Sequence, residues 1–346
     1  MLDPEGERVL GAVYGAKVRH DALGKDELKP LHAQLVQVLA AAAGAGIARM
    51  KSETEAARRL VQFEQFFSRE LAAELDRNPE LLAGEDREVT ILVSDVRGFS
   101  LIAERHSPRE TCELMGDVLE RLTTRIKDHG GVVVNYVGDG ILAMWNAPLA
   151  QPDHAARACR AALAMIGELA GPNERWAERI KTKLALGIGI NTGEALVGNT
   201  GSVHRLQYGP LGNTVNLASR VEGVTKQFGV PVLITETTHE KLGGALATRR
   251  LCNVQVVGID TPVVLHELYG ETAPHDWIAV RDAYEAALAL FESGNLSGAC
   301  RALFPLLDLN PERGQDRPSL ILASRAIDGL KSTKREFEPV IVLDSK

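Results

Sequence analysis

The residues from Arg87 to Gly270 alternate between short β-branched runs and amphipathic stretches, and this alternation limits the possible folds more than any other feature of the chain. The first run is Val89 to Val93, and amphipathic stretches with apolar residues at three- and four-residue steps separate the later runs. A period that changes repeatedly between strand-like and helix-like predicts one domain of mixed α+β class. The residues before this region have almost no β-branched runs and are expected to be helical.

Two local motifs predict where elements begin in this domain. Ser107-Pro108-Arg109-Glu110 combines an N-cap serine, a proline at the first helical position and a glutamate that closes a capping box, so a helix should start there. Two apolar runs, Val132 to Val137 and Ile141 to Trp145, then flank Gly138-Asp139-Gly140. This spacing predicts a β-hairpin with the Asp139 carboxylate at its tip.

The sequence of the second half of this domain predicts further strands and one helix. Lys183 to Asn191 reads as a strand, and a second hairpin is expected to continue through Ala195 to Val197. After Leu206 to Tyr208, the segment Gly209-Pro210-Leu211-Gly212 is expected to turn into a helix from about Asn213 to Lys226. The remaining strands are expected at Val230 to Ile234, Leu251 to Val257 and Val263 to Leu268.

The segments on either side predict helices. Ser52 to Leu75 has one apolar face, and a helix within its own domain and a parallel dimer helix both fit it. Helices are also expected at Trp277 to Ser293, Leu296 to Leu309 and Ser319 to Leu330. We therefore divide the chain into a helical regulatory or linker region at 1–85, the mixed domain at 86–270, a helical unit at 271–331 and a tail at 332–346.

Composition excludes several classes of function. The 346 residues contain 39 Lys and Arg against 46 Asp and Glu, a formal charge of −7, so the chain has no cationic excess with which to bind nucleic acid. The four cysteines are isolated, which indicates buried thiols in a reducing compartment rather than a zinc site or a disulfide framework.

From the N-terminal sequence we expect neither a secretory signal nor a membrane span. Met1 to Glu7 is acidic and polar, whereas a secretory signal begins with basic residues and an apolar core. The most apolar run, Leu35 to Ala48, is shorter than the roughly 20 residues that a membrane span needs. We therefore expect a cytoplasmic protein with no membrane span.

Three separated segments of the mixed domain carry chemistry. The first segment is Asp95-Val96-Arg97-Gly98-Phe99-Ser100, at the end of an apolar strand. Asp95 supplies a carboxylate there, and Gly98 would allow a phosphate to approach the backbone closely. Asp139 lies between two glycines on the tight turn. Two aspartates on rigid strand ends are suitable hard ligands for divalent cations beside a phosphate. In the third segment, Asn216 and Arg220 lie four residues apart and share one helix face.

These segments together resemble the catalytic domain of the class III adenylate and guanylate cyclases over about residues 87–270. The resemblance implies a ferredoxin-like sheet with helices on one face, and a homodimer whose active sites lie between the chains. It implies that Asp95, the Val96 carbonyl and Asp139 bind two Mg²⁺ or Mn²⁺, and that Gly98 and Phe99 lie at the phosphates. Asn216 and Arg220 of the other chain would orient the ribose and stabilise charge on the α-phosphate.

This sequence departs from the family pattern at the residues that bind the base. Asn135 stands where adenylate cyclases have lysine and guanylate cyclases have glutamate, and Gly209 stands where adenylate cyclases have aspartate or threonine. An amide at position 135 can donate to a ring nitrogen and accept from an amino group, which fits adenine. ATP is therefore the expected substrate, with GTP as the alternative.

A second departure affects the terminal phosphates. Val257 and Ile259 flank a glycine where the family often has lysines, and Lys226 or Arg205 could supply the missing cation. The loss of one cation should cost on the order of 1 to 3 kcal/mol of charge-assisted bonding, which slows an enzyme without abolishing its activity.

The leading hypothesis is an adenylate cyclase in intracellular signalling. A degenerate cyclase domain acting as a nucleotide-responsive regulatory scaffold, and a guanylate cyclase, stay as alternatives.

The C-terminal helices suggest a second resemblance. Small and large residues alternate there in the order Ala283, Tyr284, Ala287, Leu288, Gly294, Ala299 and Phe304, followed by Asn310-Pro311. This order resembles one tetratricopeptide-type unit. A single unit cannot bury its own apolar face, so we expect it to dock on the catalytic domain or on a protein partner.

Overall fold

The structure is a computed structural model that describes residues 11–13, 30–64, 69–202, 206–255, 262–307, 316–331 and 337–342, with side chains described outside 55–70. The chain divides into two compact units, residues 1–79 and 80–346.

The first unit contains two described helices, α1 at Pro30–Glu64 and α2 at Arg69–Arg77. Both lie where the sequence predicts helix. On the predicted apolar face, Leu71 and Leu75 are buried, at 5% and 0% exposure. The other members of that face, Ala57, Leu60, Val61 and Phe67, lie outside the residues whose side chains are described. The choice between a domain helix and a dimer helix therefore stays a prediction.

Part of α1 is longer than the apolar run from which the sequence predicts no membrane span. Pro30–Thr54 has 25 residues and reaches a mean hydropathy of 1.4, so by length and composition alone it could cross a membrane. Core helices of soluble proteins and signal sequences pass the same test. The absence of a membrane span is thus a prediction rather than a finding.

The second unit contains a mixed sheet and nine α-helices within the described residues. The strands are β1 Glu85–Val96, β2 Val132–Val137, β3 Gly140–Trp145, β4 Leu186–Asn199, β5 Tyr208–Leu211, β6 Val232–Thr235, β7 Ala247–Gln255, β8 Val263–Gly270 and β9 Ile341–Val342. The helices are α3 Phe99–Arg105, α4 Pro108–Asp128, α5 His154–Glu168, α6 Ala170–Ile180, α7 Asn213–Phe228, α8 Glu236–Leu242, α9 His275–Glu292, α10 Leu296–Leu303 and α11 Arg317–Lys331. Short 3₁₀ helices occupy Pro79–Ala83 and Phe304–Leu307.

The strands follow the order β2-β3-β1-β4-β6-β8-β7-β9, and β5 pairs with the end of β4. The β4–β6 and β7–β9 pairs are parallel and the others are antiparallel. Ser107 caps α4 with the predicted capping box, and Gly138-Asp139 joins β2 to β3 as predicted.

The structure corrects two local predictions. Residues Ala195 to Val197 continue β4 as one 14-residue strand instead of forming a hairpin of their own. Gly209 and Pro210, expected in a turn, belong to β5, whose Tyr208 pairs with Asn199 of β4. The chain thus reverses later than predicted, because the ladder with β5 extends β4 beyond its apolar run.

Helices cover both faces of the sheet, whereas the resemblance implied helices on one face. Side chains of a strand alternate between faces, and on β6 Ile234 lies in one core while Leu233 lies in another. The first core joins the sheet to α4, α5 and α6. The second core joins the opposite face to α7, α9, α10 and α11.

The C-terminal helices dock on the sheet of the same chain, one of the two expected positions. Arg249 of β7, 2% exposed, pairs with Glu267 of β8 and makes a two-pronged ion pair with Asp316, which precedes α11. Tyr284 of α9 donates to the Leu251 carbonyl at 2.7 Å. The resemblance to a tetratricopeptide unit stays a prediction, and Asn310-Pro311 lie outside the described residues.

Candidate active site

Two carboxylates meet at the end of the central strand β1. Asp95 is the second-last residue of β1, and Asp139 lies on the turn between β2 and β3. The backbone N–H of Val96 donates to the Asp139 carboxylate over 3.2 Å, which orients Asp139 beside Asp95. The structure therefore brings together the three residues that the sequence assigned to metal binding.

The approach of the hairpin to β1 requires glycine at position 140. A Cβ on Gly140 would clash with the backbone carbonyl oxygen of Ser94, so no larger residue fits without a shift of the backbone. On the other side of Asp139, Gly138 has a φ of 63°, a conformation that glycine adopts without strain. These two glycines hold the aspartate in a fixed position close to the strand.

The ionised form of Asp95 is destabilised at this position. Burial, and then the negative charge of Asp139, raise the pKa of Asp95 above its ordinary value, although Arg97 and Lys226 oppose the shift. Two carboxylates held together and partly withdrawn from water form a site of concentrated negative charge. Such a set of oxygen ligands fits a divalent cation of the Mg²⁺ or Mn²⁺ class.

A third carboxylate, which the sequence analysis did not find, approaches the pair from α7. The Glu222 side chain and the Arg97 guanidinium both lie within 2.6 Å of the point where a Cβ on Gly187 would stand, and Gly187 pairs with Asp95 across the sheet. Burial, and then Asp95, raise the pKa of Glu222 to about 7. Arg97 also donates to the Thr225 hydroxyl, one turn along α7.

Only part of the cluster of Asp95, Arg97 and Glu222 could have been recognised from the sequence. Arg97 belongs to the segment that carries Asp95, and Gly187 interrupts a strand where a side chain would otherwise stand. Glu222, however, lies 127 residues beyond Asp95 along the chain, and only the fold shows that the two carboxylates are neighbours.

The helix α7 is fastened to β4 at its first turn. Asn191, which is buried, donates to the Thr214 carbonyl at 3.0 Å, and the Thr214 hydroxyl donates to the Glu194 carbonyl at 2.5 Å. Further along, Gly189 has no side chain, which lets the backbone of α7 lie directly against the strand at Glu222. Side chains on α7 thus project from a rigid support.

Asn216 and Arg220 both lie on α7, one turn apart. Asn216 is exposed and Arg220 is half-buried, and within the described part of the chain neither side chain makes a hydrogen bond or an ion pair. Arg220 and Glu222 are two residues apart and so point about 200° apart around the helix. Because Glu222 points to the aspartates, Arg220 points away from the aspartates of its own chain.

The two positions predicted to recognise the base, Asn135 and Gly209, lie close to each other. Val134, next to Asn135, lies at an irregularity in the β2–β3 pairing, and a Cβ on Gly209 would come within 2.6 Å of its Cγ1 atom. Val134 thus occupies the space into which a side chain at position 209 would extend. Asn135 itself is half-buried.

The predicted phosphate-binding residues follow Asp95 directly. Gly98 is exposed, has a φ of 71° and precedes α3, so it forms the bend between strand and helix. The side chain of Phe99 packs against the first core, which leaves only its backbone to face a ligand. Of the possible substitute cations, Lys226 lies near enough to Asp95 to lower its pKa. Arg205, Val257 and Ile259 lie outside the described residues.

Comparison with known proteins supports the resemblance. Adenylate cyclase 1 of Rhizobium meliloti (strain 1021) is 34% identical over 184 residues, which are 53% of this chain and 28% of that protein. The crystal structure of the guanylyl cyclase Cya2 is 35% identical with a TM-score of 0.51, over 56% of this chain and 97% of that one. The adenylyl cyclase CyaB from P. aeruginosa is 26% identical with the same TM-score of 0.51, over 56% and 98%.

The extent of these matches defines what they establish. The chain spans 28% and 43% of the length of the first two curated relatives it matches, so the likeness concerns one domain. The family described as the adenylate and guanylate cyclase catalytic domain matches residues 82–269, which include Asp95, Asp139, Asn216 and Arg220. This chain therefore belongs to the family of the class III adenylate and guanylate cyclase catalytic domains.

Proposed function

We propose that this chain is an adenylate cyclase that converts ATP to 3′,5′-cyclic AMP and pyrophosphate, in the cytoplasm, at sites shared between two copies of the chain. The observation that carries the proposal is the pair of carboxylates at the end of β1, where the Val96 amide holds Asp139 beside Asp95. The membership of residues 82–269 in the cyclase family supports it.

The donor set at this position suits two Mg²⁺ or Mn²⁺ ions. Asp95 and Asp139 would hold them, and burial, followed by the charge of Asp139, raises the pKa of Asp95 even with Arg97 and Lys226 nearby. When bound, such ions lower the pKa of the attacking 3′-hydroxyl and neutralise negative charge on the phosphates.

Residues of α7 would orient the nucleotide. The Arg220 guanidinium can donate two hydrogen bonds to the α-phosphate, where negative charge develops as the 3′-oxygen attacks the phosphorus and pyrophosphate leaves. Asn216, one turn earlier, can hold the ribose in the geometry of attack. Because Arg220 points away from the aspartates of its own chain and Asn216 lies one turn from it on the same helix face, we infer that both serve the aspartates of a second copy, which makes a homodimer the active form.

A cation for the terminal phosphates is available on the other side of α7. Lys226 lies four residues after Glu222 and on the same helix face, and its charge acts on Asp95. It can therefore replace the lysines that the family often has at the positions of Val257 and Ile259.

The base preference rests on Asn135 and on the restricted space at Gly209. An amide at position 135 can pair with the adenine edge, and Val134 excludes a second side chain from the same place. GTP is the second candidate substrate, because the guanylyl cyclase Cya2 is 35% identical to this chain.

The test is product formation from ATP and from GTP by the purified full chain, with Mg²⁺ and Mn²⁺ in parallel. Cyclic AMP as the main product, and its loss in Asp95→Asn, would support the proposal. Cyclic GMP as the main product would make the protein a guanylate cyclase. A folded dimer that makes neither product with either metal would instead support the regulatory scaffold.

The base assignment has its own variant. Asn135→Glu supplies a carboxylate that can accept from the two donors of guanine, so it should lower the ratio of cyclic AMP to cyclic GMP. The exposed neighbour Tyr136→Phe removes a hydroxyl that bonds Thr123 and should leave the ratio unchanged.

A further inference from the structure

A cluster of two histidines and a glutamate lies between α8 and the sheet, apart from the residues of the candidate active site. Its members are Glu236 and His239 of α8 and His266 of β8, which we name the His239 cluster. Each residue offers one possible ligand atom, and these three atoms all lie within 4.8 Å of one another. We propose that the His239 cluster is a binding site for a transition-metal ion of the Zn²⁺ or Co²⁺ class.

The fold places these three side chains together from distant parts of the sequence. Glu236 and His239 are three residues apart and so share one face of α8. His266 lies in the middle of β8, opposite Ile234 of β6 and Arg250 of β7. The His266 side chain is 6% exposed and lies under α8, whereas the Glu236 side chain is 40% exposed. A metal ion could therefore enter from solvent at Glu236 and reach a buried nitrogen ligand.

The orientation of the two imidazole rings leaves nitrogen atoms for a metal. The Thr248 hydroxyl hydrogen-bonds His239 Nδ1 at 3.1 Å, which leaves Nε2 of that ring as the ligand atom. His266 Nε2 and Glu236 Oε2 are 2.8 Å apart and share a hydrogen bond that a metal ion bound to both atoms would replace. The rings are stacked at 4.1 Å, so His239 must rotate out of the stack to turn its Nε2 to the ion.

The donor chemistry distinguishes this cluster from the aspartate pair. Two imidazoles and one carboxylate form a set that Zn²⁺ and Co²⁺ prefer, with a fourth position left for water. Asp95 and Asp139 offer only oxygen, which suits Mg²⁺ and Mn²⁺. Arg250, whose charge acts on His266, makes a two-pronged ion pair with Glu292 at 2.8 and 2.9 Å, so a carboxylate already balances its charge.

The position suggests what the metal would do. The ion would connect α8 directly to β8, whose Leu265 lies in the second core together with the C-terminal helices. Binding would stabilise this end of the sheet, because a ligand that binds only the folded state raises the free energy of unfolding.

Titration of the tag-free full chain with Co²⁺ tests the proposal. Co²⁺ with imidazole ligands in a four-coordinate site absorbs visible light much more strongly than six-coordinate Co²⁺ with oxygen ligands. We expect a strong band that saturates at about one Co²⁺ per chain, disappears when Zn²⁺ displaces the Co²⁺, and is absent in His239→Ala. His275→Ala, which removes an exposed histidine at the start of α9, and Asp95→Asn should both keep the band.

Two further measurements make the result decisive. His239→Ala loses the hydrogen bond to Thr248 and the ring stack on His266, so in EDTA it should unfold below the wild type, and Zn²⁺ should raise the unfolding midpoint of the wild type more than that of the variant. The proposal is overturned if the wild type shows no strong band, if His239→Ala keeps it, or if the band disappears in Asp95→Asn instead. In those cases the cluster is only a hydrogen-bonded contact between α8 and β8.

Discussion

Arg220 and Glu222 lie two residues apart on α7 and point to nearly opposite sides of the helix. Glu222 approaches Asp95 across the gap that Gly187 leaves, and its pKa is raised to about 7 by burial and by that aspartate. Arg220 is half-buried and lies on the other side of the helix. One chain therefore presents its aspartates on one side of α7 and Arg220, which we propose binds the phosphate, on the other. A site shared between two chains requires this arrangement.

This arrangement predicts complementation between two inactive variants. Asp95→Ala removes a metal ligand and Arg220→Ala removes the phosphate donor, so each homodimer should lose most of its activity. In an equal mixture, half of the dimers are mixed and each holds one intact site, so activity should return to about a quarter of the wild-type level. The measurement is cyclic nucleotide formation as a function of the mixing ratio.

A matched mixture serves as the control for complementation. Asp95→Ala mixed with Asp139→Ala should give no recovery, because both changes affect the same half of every site. Two outcomes would show that the aspartates and Arg220 do not act across two chains. One is a recovery of cyclase activity in this control mixture. The other is no recovery of activity in the mixture of Asp95→Ala with Arg220→Ala, despite confirmed exchange of subunits.

Asp95 is predicted to reduce the stability of the metal-free protein. Burial and the charge of Asp139 raise its pKa, which means that its ionised form is disfavoured in the fold. Asp95→Asn removes this repulsion, so in EDTA the variant should be more stable than the wild type while it loses cyclase activity. Urea unfolding in EDTA measures the difference, and saturating Mn²⁺ should reverse the order by stabilising the wild type alone.

Much of the fold could be predicted from local signals. The capping box at Ser107 and the hairpin that carries Asp139 form as predicted, because both depend on residues only a few positions apart. The extent of β4 and the existence of β5 were predicted wrongly, because pairing with Tyr208–Leu211 extends the strand beyond its apolar pattern. The short helix α8 follows β6 directly, and its seven residues are too few to show a helical period.

Some residues of the candidate site could be predicted from the sequence and others could not. Asp95, Asp139, Asn216 and Arg220 lie in contiguous segments that resemble a family, so they could be named without a structure. Glu222 could not, because its role depends on close contact between α7 and β4 at Gly187 and Gly189. The sequence likewise shows Gly209 as a departure from the family, but only the structure shows that Val134 fills the space.

Glu222 predicts a specific dependence of stability on pH. Its folded pKa is about 7, above the ordinary value of 4.5, so between these values the folded protein holds a proton that the unfolded chain has lost. The free energy of unfolding must therefore fall as the pH rises from about 4.5 through 7. Glu222→Gln stays neutral and should lack this decline, so its advantage over the wild type should grow from about pH 5 to pH 8.

Thermal unfolding in EDTA across this pH range measures the effect of Glu222. The matched control is Glu240→Gln, an exposed residue of α8, which should unfold in parallel with the wild type at every pH. Parallel curves for Glu222→Gln as well would mean that the carboxyl of Glu222 is already ionised at low pH in the folded protein.

Lys226 is predicted to bind the phosphates of the substrate. Its charge acts on Asp95, and the family's usual lysines are replaced by Val257 and Ile259. Lys226→Ala should raise the KM for ATP on the order of tenfold with a smaller change in kcat, the effect of one charge-assisted hydrogen bond lost. Lys331→Ala, at the exposed end of α11, is the control and should change neither constant. An unchanged KM in Lys226→Ala would exclude Lys226 as the substitute cation.

The C-terminal helices are predicted to be necessary for the catalytic domain to fold, although the family match ends at residue 269. They bury Tyr284, Leu288 and Phe291 against the sheet, each worth about 1.5–3 kcal/mol of hydrophobic stabilisation. Their loss would also leave Arg249 without Asp316. Because a domain is stable by only about 5–15 kcal/mol, a chain that ends at Gly270 should be unfolded or insoluble.

A chain that begins at Glu80 is the matched comparison for that truncation, because residues 80–346 form a compact unit by themselves. It should remain soluble, unfold cooperatively and keep the ion pair between Arg249 and Asp316. Circular dichroism and urea unfolding of the two truncated chains make the comparison. A chain ending at Gly270 that unfolds with the stability of the longer one would show that α9, α10 and α11 form a separable unit, and that the second core does not depend on them.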